Sequence, residues 1–98
     1  MNNQSSEKYI EHKLVEGIKN AGGLCIKLLT YQFAGLPDRL CLMPMGKMCF
    51  VELKSTGKKP RKLQISVHSM LKKIGFDVVV VDSVEGAENL IQKLKSNE

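Results

Sequence analysis

The sequence lacks both the long apolar run of a membrane protein and the leader of a secreted one. No stretch approaches the roughly 20 consecutive apolar residues that a membrane-spanning helix needs. Residues 1–6 contain neither the basic region nor the apolar region of a secretory signal. We therefore expect the protein to work in the cytoplasm.

Cysteine and histidine are too few and too scattered to indicate a zinc site. Of the three cysteines, Cys25, Cys41 and Cys49, no two form a Cys-x-x-Cys pair. The odd count also argues against a disulfide framework, so we expect reduced thiols that pack as small apolar groups. The two histidines, His12 and His68, lie in predicted helices without a suitably spaced partner, which favours structural or surface roles.

The chain is short and basic. Its 98 residues favour a single domain, residues 1–98 with a core over about 6–94, and its 43% hydrophobic content is typical of a globular protein. The formal net charge of +5 favours an anionic partner, with nucleic acid first. Several basic residues crowd one short segment, namely Lys54, Lys58, Lys59, Arg61 and Lys62.

Hydrophobic spacing and turn residues predict elements in the order αβββαβα. Helices are expected from Glu7 after a Ser6 cap, from Pro60, and after a Ser83 cap. Strands are expected over residues 24–29, 37–43, 47–53 and 76–81. A hairpin followed by a crossover helix and another strand indicates a single α/β domain with a mixed central sheet flanked by helices.

Two packing expectations accompany this order. The second helix should bury an apolar face formed by Leu63, Val67, Met70, Leu71 and Ile74. The strand over residues 76–81 is apolar almost throughout, which is typical of a strand covered on both faces.

The predicted hairpin brings charged residues together at its open end. Glu52 and Lys54 are two apart in a strand, so their side chains leave on the same face, where they are costly unless paired, hydrated or bound to a metal. Pairing through the turn should set Leu42 near Cys49 and Asp38 close to Glu52 and Lys54. Two carboxylates with waters and phosphate oxygens suit Mg²⁺, so this end of the hairpin is a candidate metal site.

The same residues carry a resemblance to a known family. The motif Gly35-Leu36-Pro37-Asp38-Arg39, then Val51-Glu52-Leu53-Lys54-Ser55, then Gln64 in the next helix resembles the PD-(D/E)XK nuclease superfamily. Within that superfamily, the chain is most similar to the VRR-NUC domain, the virus-type replication and repair nuclease domain. The resemblance extends over residues 7–87, and it implies the restriction-endonuclease-like fold of that superfamily.

The resemblance implies a metal-dependent enzyme that hydrolyses phosphodiester bonds in DNA with Mg²⁺ or Mn²⁺. Asp38 and Glu52 match the metal-binding acids, and the backbone carbonyl of Leu53 matches a further ligand. Lys54 matches the catalytic lysine and Gln64 the glutamine placed near the site.

The family also places a glutamate of the first helix at the site, and two residues are candidates. Glu7 follows the cap, where the helix dipole favours a carboxylate without any function. Glu11 lies on the inward stripe of the helix, where a carboxylate needs a reason to be. We therefore prefer Glu11, with Glu7 as the alternative.

The substrate is expected to be branched or duplex DNA. Its backbone would be held by basic side chains, namely Lys27, Arg39, Lys58, Lys59, Arg61 and Lys62. Stand-alone members of the family are similar in size to Holliday-junction resolvases, are expected to form homodimers, and are typical of phages and bacteria. The cytoplasm in question is then that of a bacterial cell or a phage-infected host.

Two other functions compete with a structure-selective endonuclease. One is a non-catalytic module that keeps the fold and binds DNA or assembles complexes. The other is a toxin or restriction subunit whose partner chooses the DNA sequence. Asp38, Glu52 and Lys54 occur together, which favours the enzyme over the binding module.

Overall fold

A computed structural model describes residues 5–96 of the protein. The helices are α1 (Glu7–Asn20), α2 (Lys62–Lys73) and α3 (Val84–Lys95), and the strands are β1 (Leu24–Lys27), β2 (Arg39–Leu42), β3 (Met48–Leu53) and β4 (Val78–Val81). The predicted order αβββαβα and the single α/β fold are therefore confirmed. The expectation that residues 1–6 form no secretory signal rests partly on residues 1–4, which lie outside the described residues. No helix over residues 5–96 is long and apolar enough to cross a membrane.

The strands form one mixed sheet in the order β1-β2-β3-β4. Strand β2 is antiparallel to both β1 and β3, and β3 is parallel to β4. Leu42 lies opposite Met48, one residue from the predicted Cys49. The difference arises because the hairpin closes through the short turn Pro44–Gly46, where Met45 adopts a φ of 71°. Since Arg39 lies opposite Val51, the register brings Asp38, just before β2, level with Glu52.

Helices α1 and α3 cover one face of the sheet and build the core there. Ser6 and Ser83 cap the two helices as predicted, each accepting a hydrogen bond from the backbone of the first turn. The helices approach closely at Gly17, where a Cβ would overlap the side chain of Ile91. The core contains helix residues Ile10, Leu14, Ile18, Ala87, Leu90 and Ile91 and strand residues Cys41, Cys49, Val51, Leu53 and Val81. All three cysteines are free thiols.

The opposite face of the sheet packs against α2 near β4 and is open towards β1. Leu24 is 63% exposed and Ile26 is 40% exposed on this side. The register aligns Leu24 with Leu42 and Ile26 with Leu40, and Met48 and Phe50 follow on β3. We call these six side chains the open apolar face. On β4, Val78 is buried on this face but Val80 is 41% exposed, so the prediction that both faces of this strand are covered is wrong at Val80.

Helix α2 is oriented differently from the prediction. Its buried residues are Gln64, Val67 and His68, while Leu63, Met70 and Ile74 are exposed. The expected apolar face is therefore confirmed at Val67, which is buried, and Leu71 is half-buried. It is wrong at the three exposed positions, because the helix turns Gln64 and His68 inward against the sheet. The helix also begins at Lys62, after Pro60 rather than with it.

Candidate active site

The open end of the β2–β3 hairpin gathers the three charged residues that the sequence singled out. Asp38 Oδ2 accepts a hydrogen bond of 2.8 Å from the backbone N–H of Leu53, which ties the loop before β2 to the end of β3. Lys54 Nζ lies 3.4 Å from Glu52 Oε2. The structure therefore brings Asp38, Glu52 and Lys54 together, and it also places the peptide of Leu53 beside Asp38.

Glu52 is the buried centre of this group, with only 1% of its surface exposed. Burial is the main cause that raises the pKa of its carboxyl to about 7, and the nearby charge of Asp38 raises it further, whereas Lys54 lowers it. The pocket therefore holds more negative charge than Lys54 alone compensates. A divalent cation would relieve this imbalance.

Gln64 connects the site to the start of α2. Its Nε2 donates a 3.0 Å hydrogen bond to Glu52 Oε2, and its Oε1 accepts a 2.8 Å bond from the backbone N–H of Arg61. One side chain thus satisfies the N-terminus of the helix and holds the carboxylate of Glu52.

His68 also contacts Glu52, although the sequence analysis assigned it a structural or surface role. Its Nε2 lies 3.4 Å from Glu52 Oε1, and 6% of its surface is exposed. Burial is the first cause that lowers the pKa of His68, followed by the charge of Lys72, which favours the neutral ring over the imidazolium. Its spacing of four residues from Gln64, which puts both side chains on one helix face, is the sequence signal that could have identified this position.

The two candidate glutamates of α1 have different surroundings. Glu11 Oε2 accepts a 2.9 Å hydrogen bond from Arg39 Nε within an ion pair. Glu7 is exposed, yet burial raises its pKa slightly above the usual range and the charge of Asp38 adds to the effect, while Lys54 lowers it. Both glutamates line a cavity of about 360 Å³ that also includes Asp38. The sequence-based preference for Glu11, with Glu7 as the alternative, therefore stays a prediction.

The predicted DNA-binding residues fall into two groups. Lys58, Lys59, Arg61 and Lys62 are exposed beside the N-terminus of α2, and Lys27 is exposed at the cavity that Asp38 lines. Arg39 differs, because its guanidinium donates to Glu11 and, over 3.1 Å, to the carbonyl of Cys25. Its part in DNA binding stays a prediction, with fewer donors free for a phosphate.

The donor set suits an oxygen-liganded cation rather than a metal held by side chains alone. Within residues 5–96, no group of three or more His, Cys, Asp or Glu side chains is arranged to hold a metal ion. An ion here would instead use the carboxylates of Asp38 and Glu52, the carbonyl of Leu53, and oxygens of water or phosphate. This is the coordination that Mg²⁺ prefers.

Comparison with known proteins identifies the family. No family model matches the sequence. The chain is 40% identical over 77 residues to "Putative nuclease p44" of Acyrthosiphon pisum secondary endosymbiont phage 1, covering 79% of this chain and 83% of that protein. It also superimposes on a solved structure described as a VRR_NUC domain, with a TM-score of 0.83 and 31% identity over 90% of this chain and 97% of the other. The fold, the site and both relatives agree that the chain belongs to the VRR-NUC family of nuclease domains.

Proposed function

We propose that this nuclease is a divalent-metal-dependent endonuclease that hydrolyses phosphodiester bonds in DNA and selects its substrate by structure, as Holliday-junction resolvases do. The observation that carries the proposal is the convergence of Asp38, Glu52 and Lys54 at one end of the hairpin. The buried Glu52 supports it, because a carboxyl with a pKa raised to about 7 is poised to exchange its proton for a cation.

The residues divide the chemical work. Asp38 and Glu52 would hold Mg²⁺ or Mn²⁺, which when bound lowers the pKa of a water ligand and neutralises phosphate charge. Lys54, with a side chain that is 16% exposed, would orient the attacking water and offset charge that develops on the phosphate. Gln64 keeps the Glu52 carboxylate in one orientation through its 3.0 Å hydrogen bond. An acid of α1, Glu7 or Glu11, completes the site.

DNA would reach this site along the exposed basic residues at the N-terminus of α2. Lys58, Lys59, Arg61 and Lys62 offer contacts to phosphates, which provide affinity and salt dependence without reading bases. That property suits an enzyme that recognises the shape of branched or duplex DNA.

We propose further that the enzyme acts as a homodimer, since symmetric cleavage of a junction needs two centres. Each copy carries a net charge of +5, so an interface that buried lysine or arginine would oppose association further. The open apolar face contains neither residue: its members are Leu24, Ile26, Leu40, Leu42, Met48 and Phe50. An apolar strip of this kind can contact its own copy across a twofold axis.

Light scattering of two matched variants tests this surface. Ile26→Glu puts a charge on the open apolar face, whereas Ile74→Glu puts one on a 70% exposed position of α2. We expect the first variant to be monomeric and the second to remain dimeric. The reverse result would move the interface to α2, and a monomeric parent protein with and without DNA would remove the dimer.

The phage origin of a 40% identical relative supports a working place in the cytoplasm of a bacterial cell or a phage-infected host. There the intracellular Mg²⁺ pool would supply the cation.

The decisive experiment incubates the protein with plasmid, hairpin and four-way junction DNA in Mg²⁺, Mn²⁺ or EDTA. We expect cleavage with either metal and none in EDTA. Asp38→Asn, Glu52→Gln and Lys54→Ala should each abolish cleavage while DNA binding persists; the asparagine is chosen because it keeps an acceptor for the N–H of Leu53. Cleavage by all three variants at the parent rate would refute the site, and binding without any cleavage by the parent would identify a non-catalytic DNA-binding module.

A further inference from the structure

Glu52 and His68 each have one buried polar atom without a hydrogen-bond partner, and the two atoms face each other. Glu52 Oε1 and His68 Nε2 are buried and make no hydrogen bond within the described residues. They lie 3.4 Å apart, just beyond hydrogen-bond distance. Buried polar atoms are nearly always paired in folded proteins, so two adjacent unpaired atoms need an explanation.

The other oxygen of the same carboxylate is already well supplied. Glu52 Oε2 accepts the hydrogen bond from Gln64 Nε2 and faces Lys54 Nζ. Oε1 is buried, and the ring of His68 lies 3.4 Å from it, so His68 is a protein donor within reach whether or not a cation is bound. A neutral imidazole with its proton on Nε2 is a donor at that atom.

We propose that His68 is a positioning residue of the nuclease site, which donates from Nε2–H to Glu52 Oε1 and fixes the carboxylate that would hold the divalent cation. The inference rests on the proposed function for the role of Glu52, but the hydrogen bond itself does not require a metal. Gln64 and His68, one helical turn apart on α2, would then hold the two oxygens of Glu52 from the same side. In this arrangement His68 touches Glu52 and orients its carboxylate without touching the cation.

The alternative is that His68 only fills space beneath the sheet. A purely packing role predicts that any side chain of similar volume serves equally well and that the position of the ring proton is irrelevant. A positioning role predicts that a donor at the Nε2 position is required. The two roles are therefore separated by a spectroscopic signature and by a donor-retaining substitution.

The first test is long-range ¹H–¹⁵N NMR of the imidazole rings in the metal-free protein at pH 8, with exposed His12 as the internal control. We expect His68 to show the Nε2–H tautomer with a slowly exchanging, downfield proton. That signal should be lost or shifted in Glu52→Ala, while His12 stays unchanged. An Nδ1–H tautomer, or a His68 ring signal that is unchanged in Glu52→Ala, would overturn the inference whether or not the protein is a nuclease.

The second test measures Mn²⁺ affinity by calorimetry in the absence of DNA. His68→Gln retains a donor near the same place, whereas His68→Leu keeps much of the volume without one. We expect the glutamine variant to bind within about threefold of the parent and the leucine variant to bind 10- to 100-fold more weakly. Equal weakening in both variants would overturn the positioning role. If the parent itself bound no Mn²⁺, the proposed function would fail, and the NMR result alone would decide the hydrogen bond.

Discussion

The two faces of the sheet solve different physical problems. Under α1 and α3, the side chains are apolar and fully buried, as at Leu14 and Val51. Under α2, the apolar Val67 is buried beside polar groups: Gln64 and His68 each contact the buried Glu52, while Met70 and Ile74 are left exposed. Burial of apolar area stabilises the domain on the first face, whereas on the second face burial raises the pKa of a carboxyl and leaves polar atoms in need of partners. One face of the sheet therefore provides stability, and the other holds the site at some cost in stability.

The largest expected loss of stability comes from a cavity in the face of the sheet under α1 and α3. Leu14 is completely buried between α1 and the sheet, so Leu14→Ala should lower the free energy of unfolding by about 2–5 kcal/mol. Urea denaturation followed by circular dichroism measures this loss. The activity per folded molecule should stay near that of the parent, because the cavity lies on the face away from Glu52. A variant that kept its stability would mean that the α1 face is not the main source of it.

The second face should respond in the opposite direction. The pKa of Glu52 rises from 4.5 to about 7 in the folded protein, so the folded state holds this proton more tightly than the unfolded state. The contribution of Glu52 is therefore most favourable below about pH 4.5 and is lost as the pH rises to about 7, by at most about 3 kcal/mol. Glu52→Gln cannot ionise and should be more stable than the parent at pH 8 in EDTA.

This advantage of Glu52→Gln should shrink as the pH is lowered to 5, which thermal unfolding at pH 5, 6, 7 and 8 can follow. Glu85→Gln, on an exposed position of α3, is the matched control and should show no such trend. If the melting temperatures of the parent and Glu52→Gln changed in parallel across this pH range, ionisation of the buried carboxyl would not lower the stability of the parent.

The two glutamates of α1 should affect different properties, one the cleavage rate and the other the stability. Glu11 is held by Arg39 and ties α1 to β2. The pKa of Glu7 is raised first by burial and then by the charge of Asp38, whose cavity Glu7 also lines. We expect Glu7→Gln to lower the cleavage rate by about tenfold or more with little change in stability. Glu11→Gln should lower the free energy of unfolding by about 1 kcal/mol, as loss of a partly buried, charge-assisted hydrogen bond does. A cleavage defect confined to Glu11→Gln would restore the sequence-based preference.

The sequence predicted the first face of the sheet better than the second. Ser6 and the spacing of Ile10, Leu14 and Ile18 define α1, because apolar periodicity and capping are local signals. The meeting of Asp38 with Glu52 was also predictable, since a short hairpin turn leaves little freedom in register. The predicted pairing was wrong by one residue because Met45 in the turn has a positive φ. A methionine side chain gives no indication of that conformation.

The orientation of α2 was not predictable from its apolar pattern. Leu63, Met70 and Ile74 follow a helical period, yet they stay more than half exposed. The positions that face the sheet are instead Gln64 and His68, which reach Glu52. A hydrophobicity pattern counts only apolar burial, whereas here a buried carboxylate from another element decides which side of the helix faces in. The same reason explains why His68 was assigned no functional role: its partner is distant in sequence and meets it only in the folded chain.

The smallest expected effect concerns the exposed basic residues that would lead DNA to the second face. Arg61→Ala should weaken DNA binding several-fold and reduce the slope of log affinity against log salt by about 1, because one phosphate contact is lost. The backbone N–H of Arg61 still reaches Gln64 Oε1 in this variant, so Glu52 keeps its hydrogen bond from Gln64 and the cleavage rate at saturating DNA should not change. Lys95→Ala, on the exposed end of α3, removes the same charge from the other side of the molecule and should leave the slope unaltered. Equal slopes for both variants and the parent would place the DNA path elsewhere, whereas a lower saturated rate in Arg61→Ala would mean that the basic segment also sets the position of Glu52 through Gln64.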